Sequence, residues 1–336
     1  MRGRFSPRRY SAPVIRWTST LGHNRARTPA HAALHVASIV LRGVGQGALQ
    51  AHSVAGLIFV LAVAWSSPPQ ALALVWGASL STALTAVLRV DHSALRDGLW
   101  GFNGALAALT TVLFAPPVPS LWLAATVAAL GTVPITVALQ KGLARWRLPT
   151  LSLPFILALW CVLLAARLLS AAPPPAAPAI PLLGAPIALN VEQVAYTLLN
   201  GIAQVFFQAH AGTGALVLLG LFISAPHAAL LAVLGTACAS AMAWVLGAPA
   251  EALQSGAHGF SGALAAVAVG MVLLPATAQH LRTTLWAMVA ASLTPLIGSV
   301  FGWVLAPVGL PVLTLPFVVA SWGVLGLHGI SRKTHP

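Results

Sequence analysis

The stretch GLWGFNGALAA at residues 98–108 occurs a second time in the chain, as GAHGFSGALAA at residues 256–266. The shared core is Gly-Phe-(Asn/Ser)-Gly-Ala-Leu-Ala-Ala, and each copy continues into an apolar segment. Phe102 and Phe260 lie 158 positions apart (260 − 102), and the rest of the motif keeps that separation. This repeat predicts that the chain contains two related halves.

The composition places the chain in a membrane. Hydrophobic residues make up 58% of it and charged residues only 6%, and the mean hydropathy is +0.89. A soluble domain carries roughly 25% charged residues. The apolar stretches are long and do not alternate with polar residues, so the pattern favours a polytopic α-helical membrane protein over a β-barrel.

The net charge of +13 is concentrated near the N-terminus. Such a basic arm is compatible with nucleic-acid binding or with a transit peptide, but the positive-inside rule favours a cytoplasmic tail. Basic residues also end the chain, so we expect both termini in the cytoplasm, an even number of spans, and a multi-pass protein of the plasma (inner) membrane without a nucleic-acid partner. The arginines before the first apolar stretch are Arg2, Arg4, Arg8, Arg9, Arg16, Arg25 and Arg27. The basic residues near the C-terminus are Arg332 and Lys333.

The pattern predicts an all-α fold of two inverted repeats, each with five transmembrane helices and a short re-entrant pore helix. We expect residues 1–30 to form a disordered basic tail, 31–170 the first repeat, 171–186 a Pro/Ala-rich linker and 187–331 the second repeat. Five spans per half is an odd number, so the second half enters the membrane from the opposite side. The expected re-entrant pieces lie near 32–49 and 187–207. The expected spans lie near 51–66, 70–88, 98–115, 119–139 and 150–170, and near 211–225, 227–246, 257–274, 283–305 and 313–330.

Two further motifs recur in the same order. Gln46 and Gln204 are again 158 positions apart, and LPTLSLPF at 148–155 returns as LPVLTLPF at 310–317 with a Trp five residues later. Each half therefore offers amide groups, a Gly-Phe element with a Leu on the same helical face, and a Pro-flanked hydroxyl. Individually, a Phe, Leu or Gln inside a span is most often a packing residue or a contact between helices. Duplication in a two-fold frame favours a common pore.

Charged groups are missing from these repeated motifs. Coupled carriers usually need ionisable groups within their spans, so the pattern favours passive conduction of a neutral solute. Cys161 and Cys238 lie in apolar stretches without metal-ligand or disulfide spacing, and we expect neither a metal nor a cofactor. An enzyme is not expected either, because HExxH, paired acids within spans and supported Ser/Lys or Ser/His arrangements are missing. A purely structural or receptor-like protein would have no need of a duplicated polar filter.

The motifs GLWGFNGALAAL, GIAQVFFQ at 201–208 and the doubled LPxLxLPF resemble the urea transporter family over residues 35 to 330. That resemblance implies a bidirectional, channel-like pore in each subunit of a homotrimer, with urea as permeant and lipid around it. It also implies aromatic slots at the two ends of a filter, oxygen ladders near the pore-helix ends and a central hydroxyl pair. The corresponding pore residues in this chain are Gln46, Gly47, Leu49, Phe102, Leu106, Ser152, Gln204, Val205, Phe207, Phe260, Leu264 and Thr314.

The two halves differ beside the first glutamine. Gly47-Ala48-Leu49 stands where the second half has Val205-Phe206-Phe207. One end of the filter would therefore have Leu49 in place of an aromatic ring, and the distinction between urea and a slightly larger amide would depend on it. A channel for another small neutral solute, a short-chain amide or ammonia, is accordingly the alternative function.

Overall fold

The computed structural model describes residues 29–115, 120–170, 188–274 and 280–333, and within these ranges the chain forms helices and connecting turns without strands. The predicted basic tail up to residue 28 and the predicted linker 171–186 lie outside the described residues.

The described part of the first half contains seven α-helices. They are α1 (Pro29–Gln46), α2 (Ser53–Ser66), α3 (Pro68–Val87), α4 (His92–Arg96), α5 (Gly101–Phe114), α6 (Leu121–Leu143) and α7 (Leu153–Ser170). Local signals explain several boundaries. Proline occupies the first turn of α3, where its missing N–H leaves no hydrogen bond unmade, and the Asp91 carboxylate accepts the backbone N–H groups of Ser93 and Ala94 at the start of α4.

The second half repeats this order. Its helices are α8 (Val191–Ala203), α9 (Ala211–Ser224), α10 (Pro226–Val245), α11 (Ala250–Gln254), α12 (Phe260–Val267), α13 (His280–Leu305) and α14 (Leu315–Lys333). Asn190 and Gln193 form a capping box at the start of α8, and α12 continues as a π-helical turn over Ala268–Leu273. Each half thus contains a five-residue helix directly before its Gly-Phe motif.

Each of the ten predicted apolar segments is helical in the structure. Among the described residues four helices are long and apolar enough to cross a membrane, and there are five if the bent pair α8–α9 counts as one span. Five apolar helices are shorter, such as α2 and α5 with 14 residues each. A 14-residue helix is only about 21 Å long, less than the roughly 30 Å of a hydrocarbon core. The count of ten spans remains a prediction.

The two predicted re-entrant pieces differ in the structure. Helix α8, with the 3₁₀ turn that follows it, is bent by 71° relative to α9 across a short break, which is the geometry of a broken span or a re-entrant loop. In the first half we expected a helix of half length, whereas α1 has 18 residues. The Ala-rich stretch after Pro29 has high helix propensity, and this extends the exposed start of the helix.

Glycines allow the helices around the Gly-Phe motifs to approach closely. A Cβ atom on Gly77 of α3 would lie 2.1 Å from the carbonyl oxygen of Gly104 on α5, and one on Gly235 of α10 would lie 2.4 Å from the carbonyl oxygen of Gly262 on α12. Contacts between small residues are the usual means by which membrane helices pack. The same close pairing therefore holds each Gly-Phe helix in its half of the molecule.

Candidate functional site

The two copies of the LPxLxLPF motif meet at the buried centre of the molecule. Ser152 and Thr314 are 4% and 1% exposed, and their hydroxyl oxygens lie 2.7 Å apart, within hydrogen-bond distance. Either hydroxyl could donate. One hydroxyl hydrogen remains after this bond is formed, and lone pairs remain on both oxygens, so the pair can also bond to a third group.

The backbone turns sharply before each hydroxyl residue. Leu151 and Leu313 adopt left-handed conformations with φ of 47° and 54°. Non-glycine residues rarely adopt this conformation, and it persists only where the surrounding structure enforces it. The turns are closed by backbone hydrogen bonds of 3.2 Å from Leu153 to Thr150 and from Leu315 to Val312. Each turn places its hydroxyl residue directly before a helix, α7 or α14.

Two tryptophans join the halves around this pair. The indole N–H of Trp160 on α7 donates to the carbonyl oxygen of Pro311 at 2.9 Å, and that of Trp322 on α14 donates to the carbonyl oxygen of Pro149 at 2.8 Å. The two bonds are reciprocal, because each half supplies one donor and one acceptor. The segments that carry Ser152 and Thr314 are therefore held from both sides.

The Gly-Phe motifs flank the centre. Phe102 and Phe260 are half-buried near the starts of α5 and α12, and Leu106 and Leu264, one turn later, are 3% and 5% exposed. The ring of Phe260 lies 6.1 Å from that of Phe207, measured between ring centroids. Phe207 in turn packs edge-on against Phe155 at 6.2 Å. Both centroid distances are within the usual range for favourable aromatic contacts.

The glutamine that ends α1 and the glutamine that follows α8 make matching bonds. The Gln46 side chain donates to the Asp97 carbonyl oxygen at 3.0 Å, and the Gln204 side chain donates to the Ser255 carbonyl oxygen at 3.1 Å. Each amide thereby ties a helix end to the loop before a Gly-Phe helix, and it retains its own carbonyl oxygen as an acceptor.

Gln50 and Gln208 connect the two halves. Ser224 donates its hydroxyl hydrogen to Gln50 Oε1 at 2.8 Å, and Ser66 donates to Gln208 Oε1 at 2.7 Å. Both glutamines are 5% exposed. Like the tryptophan bonds, these two contacts are reciprocal. The repeated motifs do not predict them, because both serines lie outside these motifs.

The chain takes the same unusual turn beside each glutamine. Leu49 and Phe207 are left-handed, with φ of 62° and 57°. Gly47 of the first half leaves space for the ring of Phe206 of the second half. A Cβ atom on Gly47 would lie only 3.0 Å from that ring. Phe206 is fully buried there against Phe59, at 5.1 Å between ring centroids. Val205, which follows Gln204, is 3% exposed.

One contact in the first half has no counterpart in the second. The Asn103 side chain donates to the Leu151 carbonyl oxygen at 3.4 Å and accepts the Phe155 backbone N–H at 3.3 Å, so it braces the turn that carries Ser152. The equivalent residue, Ser261, is 4% exposed and its Oγ atom makes no hydrogen bond. The Asn/Ser difference within the motif was the signal in the sequence for this asymmetry.

Groups of three or more His, Cys, Asp or Glu side chains that could hold a metal ion do not occur among the described residues. The polar groups at the centre are instead neutral amides, hydroxyls and carbonyls surrounded by apolar side chains.

These features define a multi-pass helical membrane protein whose neutral polar groups meet at a buried centre. A model of the urea transporter family matches residues 37–329, and the chain belongs to that family. It is 30% identical to urea transporter 1 of Ovis aries over 298 residues, which cover 86% of this chain and 76% of the relative. It is 29% identical to urea transporter 1 of Rattus norvegicus over 289 residues, which cover 84% and 74% of the two chains. The resemblance seen in the motifs is thus confirmed, and membership of a transport family confirms that the chain is not an enzyme.

Proposed function

We propose that this protein conducts urea passively across the membrane. The solute would move through a selective pore that runs alongside the central hydroxyl pair, Ser152 and Thr314. The observation that carries the proposal is the 2.7 Å contact between the Ser152 and Thr314 hydroxyls. It brings the polar residues of the two LPxLxLPF copies together in an apolar interior. Membership of the urea transporter family supports urea as the permeant.

The chemistry of the lining groups suits a flat, uncharged solute. Urea carries four N–H donors around its edge and one carbonyl acceptor. Phe102, Phe260 and Phe207, with Leu106 and Leu264, would cover its two faces, while the oxygens of Gln46, Gln204, Ser152 and Thr314 would accept from its edge. Gly47 and Val205 would contribute backbone carbonyls. An ion would lose its hydration in such a slot at a cost of several kcal/mol, whereas urea would exchange hydrogen bonds with water for similar ones and leave readily.

We further propose that the two halves are inverted repeats about an axis near the Ser152–Thr314 contact. The reciprocal bonds support this arrangement, since exchanging the halves exchanges Trp160–Pro311 with Trp322–Pro149 and Ser66–Gln208 with Ser224–Gln50. Sites of inverted-repeat transporters lie at the interface of the repeats near the bilayer midplane. The homotrimer, the inner-membrane location and the cytoplasmic termini remain predictions from the sequence.

Urea flux into proteoliposomes tests this function. Purified protein should raise the urea permeability well above that of matched empty liposomes, with net flux in whichever direction the gradient is imposed, as measured by light scattering in a stopped-flow instrument. Flux equal to that of empty liposomes would reject the proposal.

A second candidate function is conduction of another small neutral solute, such as a short-chain amide or ammonia. The observation that favours it is Leu49, which occupies the position of Phe207 in the same left-handed turn and leaves that end of the filter with one aromatic ring fewer. Competition experiments separate the two functions, because a channel selective for acetamide would have its acetamide flux unaffected by excess urea.

A further inference from the structure

We propose that Trp160 and Trp322 are specificity-determining positioning residues, whose indole N–H bonds across the two halves set the width of the pore at the Ser152–Thr314 pair. This inference rests on the proposed function, in which the solute passes that pair. It assigns to the tryptophans an effect on solute size that goes beyond holding the fold together.

The covalent path from each acceptor to its hydroxyl residue is short. Pro311 precedes Thr314 by three residues, and Pro149 precedes Ser152 by three. Both intervening segments are closed by a 3.2 Å backbone hydrogen bond and contain a left-handed leucine. A tightly closed segment has little freedom to absorb a displacement of the proline. The position of each proline carbonyl is thus passed on to the hydroxyl residue.

The donors reach these carbonyls from the opposite half. Trp160 lies on α7, the helix that begins directly after Ser152, and it bonds to the segment that carries Thr314. Trp322 lies on α14 and bonds to the segment that carries Ser152. The two segments whose hydroxyls are in contact are therefore also joined to the opposite half by two reciprocal hydrogen bonds, Trp160–Pro311 at 2.9 Å and Trp322–Pro149 at 2.8 Å. Removing either bond frees one segment to move away from the other.

The bracing is unequal, which makes the two tryptophans distinguishable. The turn before Ser152 is also held by the Asn103 side chain, whereas the equivalent Ser261 hydroxyl makes no hydrogen bond. Trp160, which holds the less braced Thr314 segment, should therefore be the more sensitive of the two positions.

The test replaces each indole by a ring without a donor and measures selectivity. Trp160→Phe and Trp322→Phe are reconstituted in proteoliposomes, and the permeabilities of urea and N-methylurea are measured. We expect the urea to N-methylurea ratio to fall about five-fold for Trp160→Phe, as for the loss of one ordinary hydrogen bond, and by less for Trp322→Phe. Trp303→Phe, at a side chain that is 81% exposed on α13, is the matched control and should leave the ratio unchanged.

A double-mutant cycle with Thr314→Val separates positioning from general destabilisation. If Trp160 acts through the hydroxyl pair, Trp160→Phe should change the ratio little further in the Thr314→Val background. Additive effects, or a lowered melting temperature with an unchanged ratio, would overturn the inference. If the Phe variants do not fold, Trp160→benzothienylalanine keeps the ring shape, exchanges the N–H for sulfur and is read by the same criteria. A wild-type protein without urea flux would instead reject the proposed function, and so the two failures are distinguishable.

Discussion

At the scale of single residues, Phe260 offers the most direct test of an aromatic slot. Its ring lies half-buried against Phe207, at the start of α12. Replacing it by Ala would widen the slot without disturbing the glycine contacts of the helix. We expect Phe260→Ala to lower the urea to N-methylurea permeability ratio about ten-fold, which is the lower end of the discrimination that one methylene-sized change produces in an apolar pocket. Flux assays on folded protein measure this, and an unchanged selectivity profile would argue against the slot.

Leu49 tests whether the two ends of the filter differ. Its backbone nearly matches that of Phe207, with φ of 62° against 57°, so a phenylalanine would meet no new backbone strain there. Leu49→Phe should raise the urea to N-methylurea ratio, because a second ring narrows that end. Phe207→Leu is the reverse exchange at the other end of the filter and should lower the urea to N-methylurea ratio. Equal ratios in both variants and the wild type would mean that neither position contacts the solute.

The repeat in the sequence identified Ser152 and Thr314 as equivalent positions, and the family resemblance implied that they form a central pair. The structure places their hydroxyls in contact. The tryptophans of the same motif were visible too, but their role was not. A bond from Trp160 to a carbonyl 151 positions away depends on how the halves face each other, and side-chain periodicity carries no such information. Asn103 and Ser261 show the same limit, since only the folded turn shows what the longer side chain reaches.

At the scale of helices, the glycine contacts predict unequal effects of one chemical change. A Cβ on Gly104 would lie 2.1 Å from Ser81 Oγ and 2.6 Å from the Gly77 carbonyl oxygen, whereas one on Gly131 of α6 would meet nothing within 4 Å. Gly104→Ala should therefore destabilise the protein by about 1–3 kcal/mol through overpacking. Gly131→Ala should be neutral, or stabilising by up to about 1 kcal/mol, because alanine has the higher helix propensity.

Thermal unfolding in detergent measures the difference between these two variants. A lower melting temperature for Gly104→Ala alone would support the close approach of α3 and α5, and equal shifts for both variants would contradict it.

Helix positions were largely predictable from the sequence, whereas helix lengths were less so. Pro68 and Pro226 mark the starts of α3 and α10, because proline fits the first turn and disfavours helix before it. Helix α1 likewise begins at a proline, Pro29, but its 18 residues exceed the half length that we expected. The 71° bend between α8 and α9 was anticipated from the polar residues of the segment, although its angle depends on packing.

At the scale of the whole molecule, the placement of charge predicts how flux responds to gradients. The four acids, Asp91, Asp97, Glu192 and Glu251, lie at the ends or first turns of helices. Arg42 and Arg167 donate to backbone carbonyls. With its acids at helix ends, the molecule has little means of coupling solute movement to protons or voltage.

Collapsing the proton gradient or the membrane potential of proteoliposomes with ionophores should therefore leave the urea permeability unchanged. The permeability is followed by stopped-flow light scattering, with ionophore-treated empty liposomes as the control. A dependence on either gradient would exclude passive conduction.

The reciprocal bonds between the halves also have a consequence for biosynthesis. The bonds at Trp160 and Trp322 join residues 151 and 173 positions apart, so the Trp160 indole and the Pro149 carbonyl of the first half lack these partners until the second half has been made. At the usual 5–20 residues per second, a ribosome needs about 10–30 s for that distance. During this interval the indole of Trp160 and the hydroxyl of Ser152 lack their partners within a lipid environment that offers none. We therefore expect the first half of this protein to need protection from the lipid until the second half has been inserted.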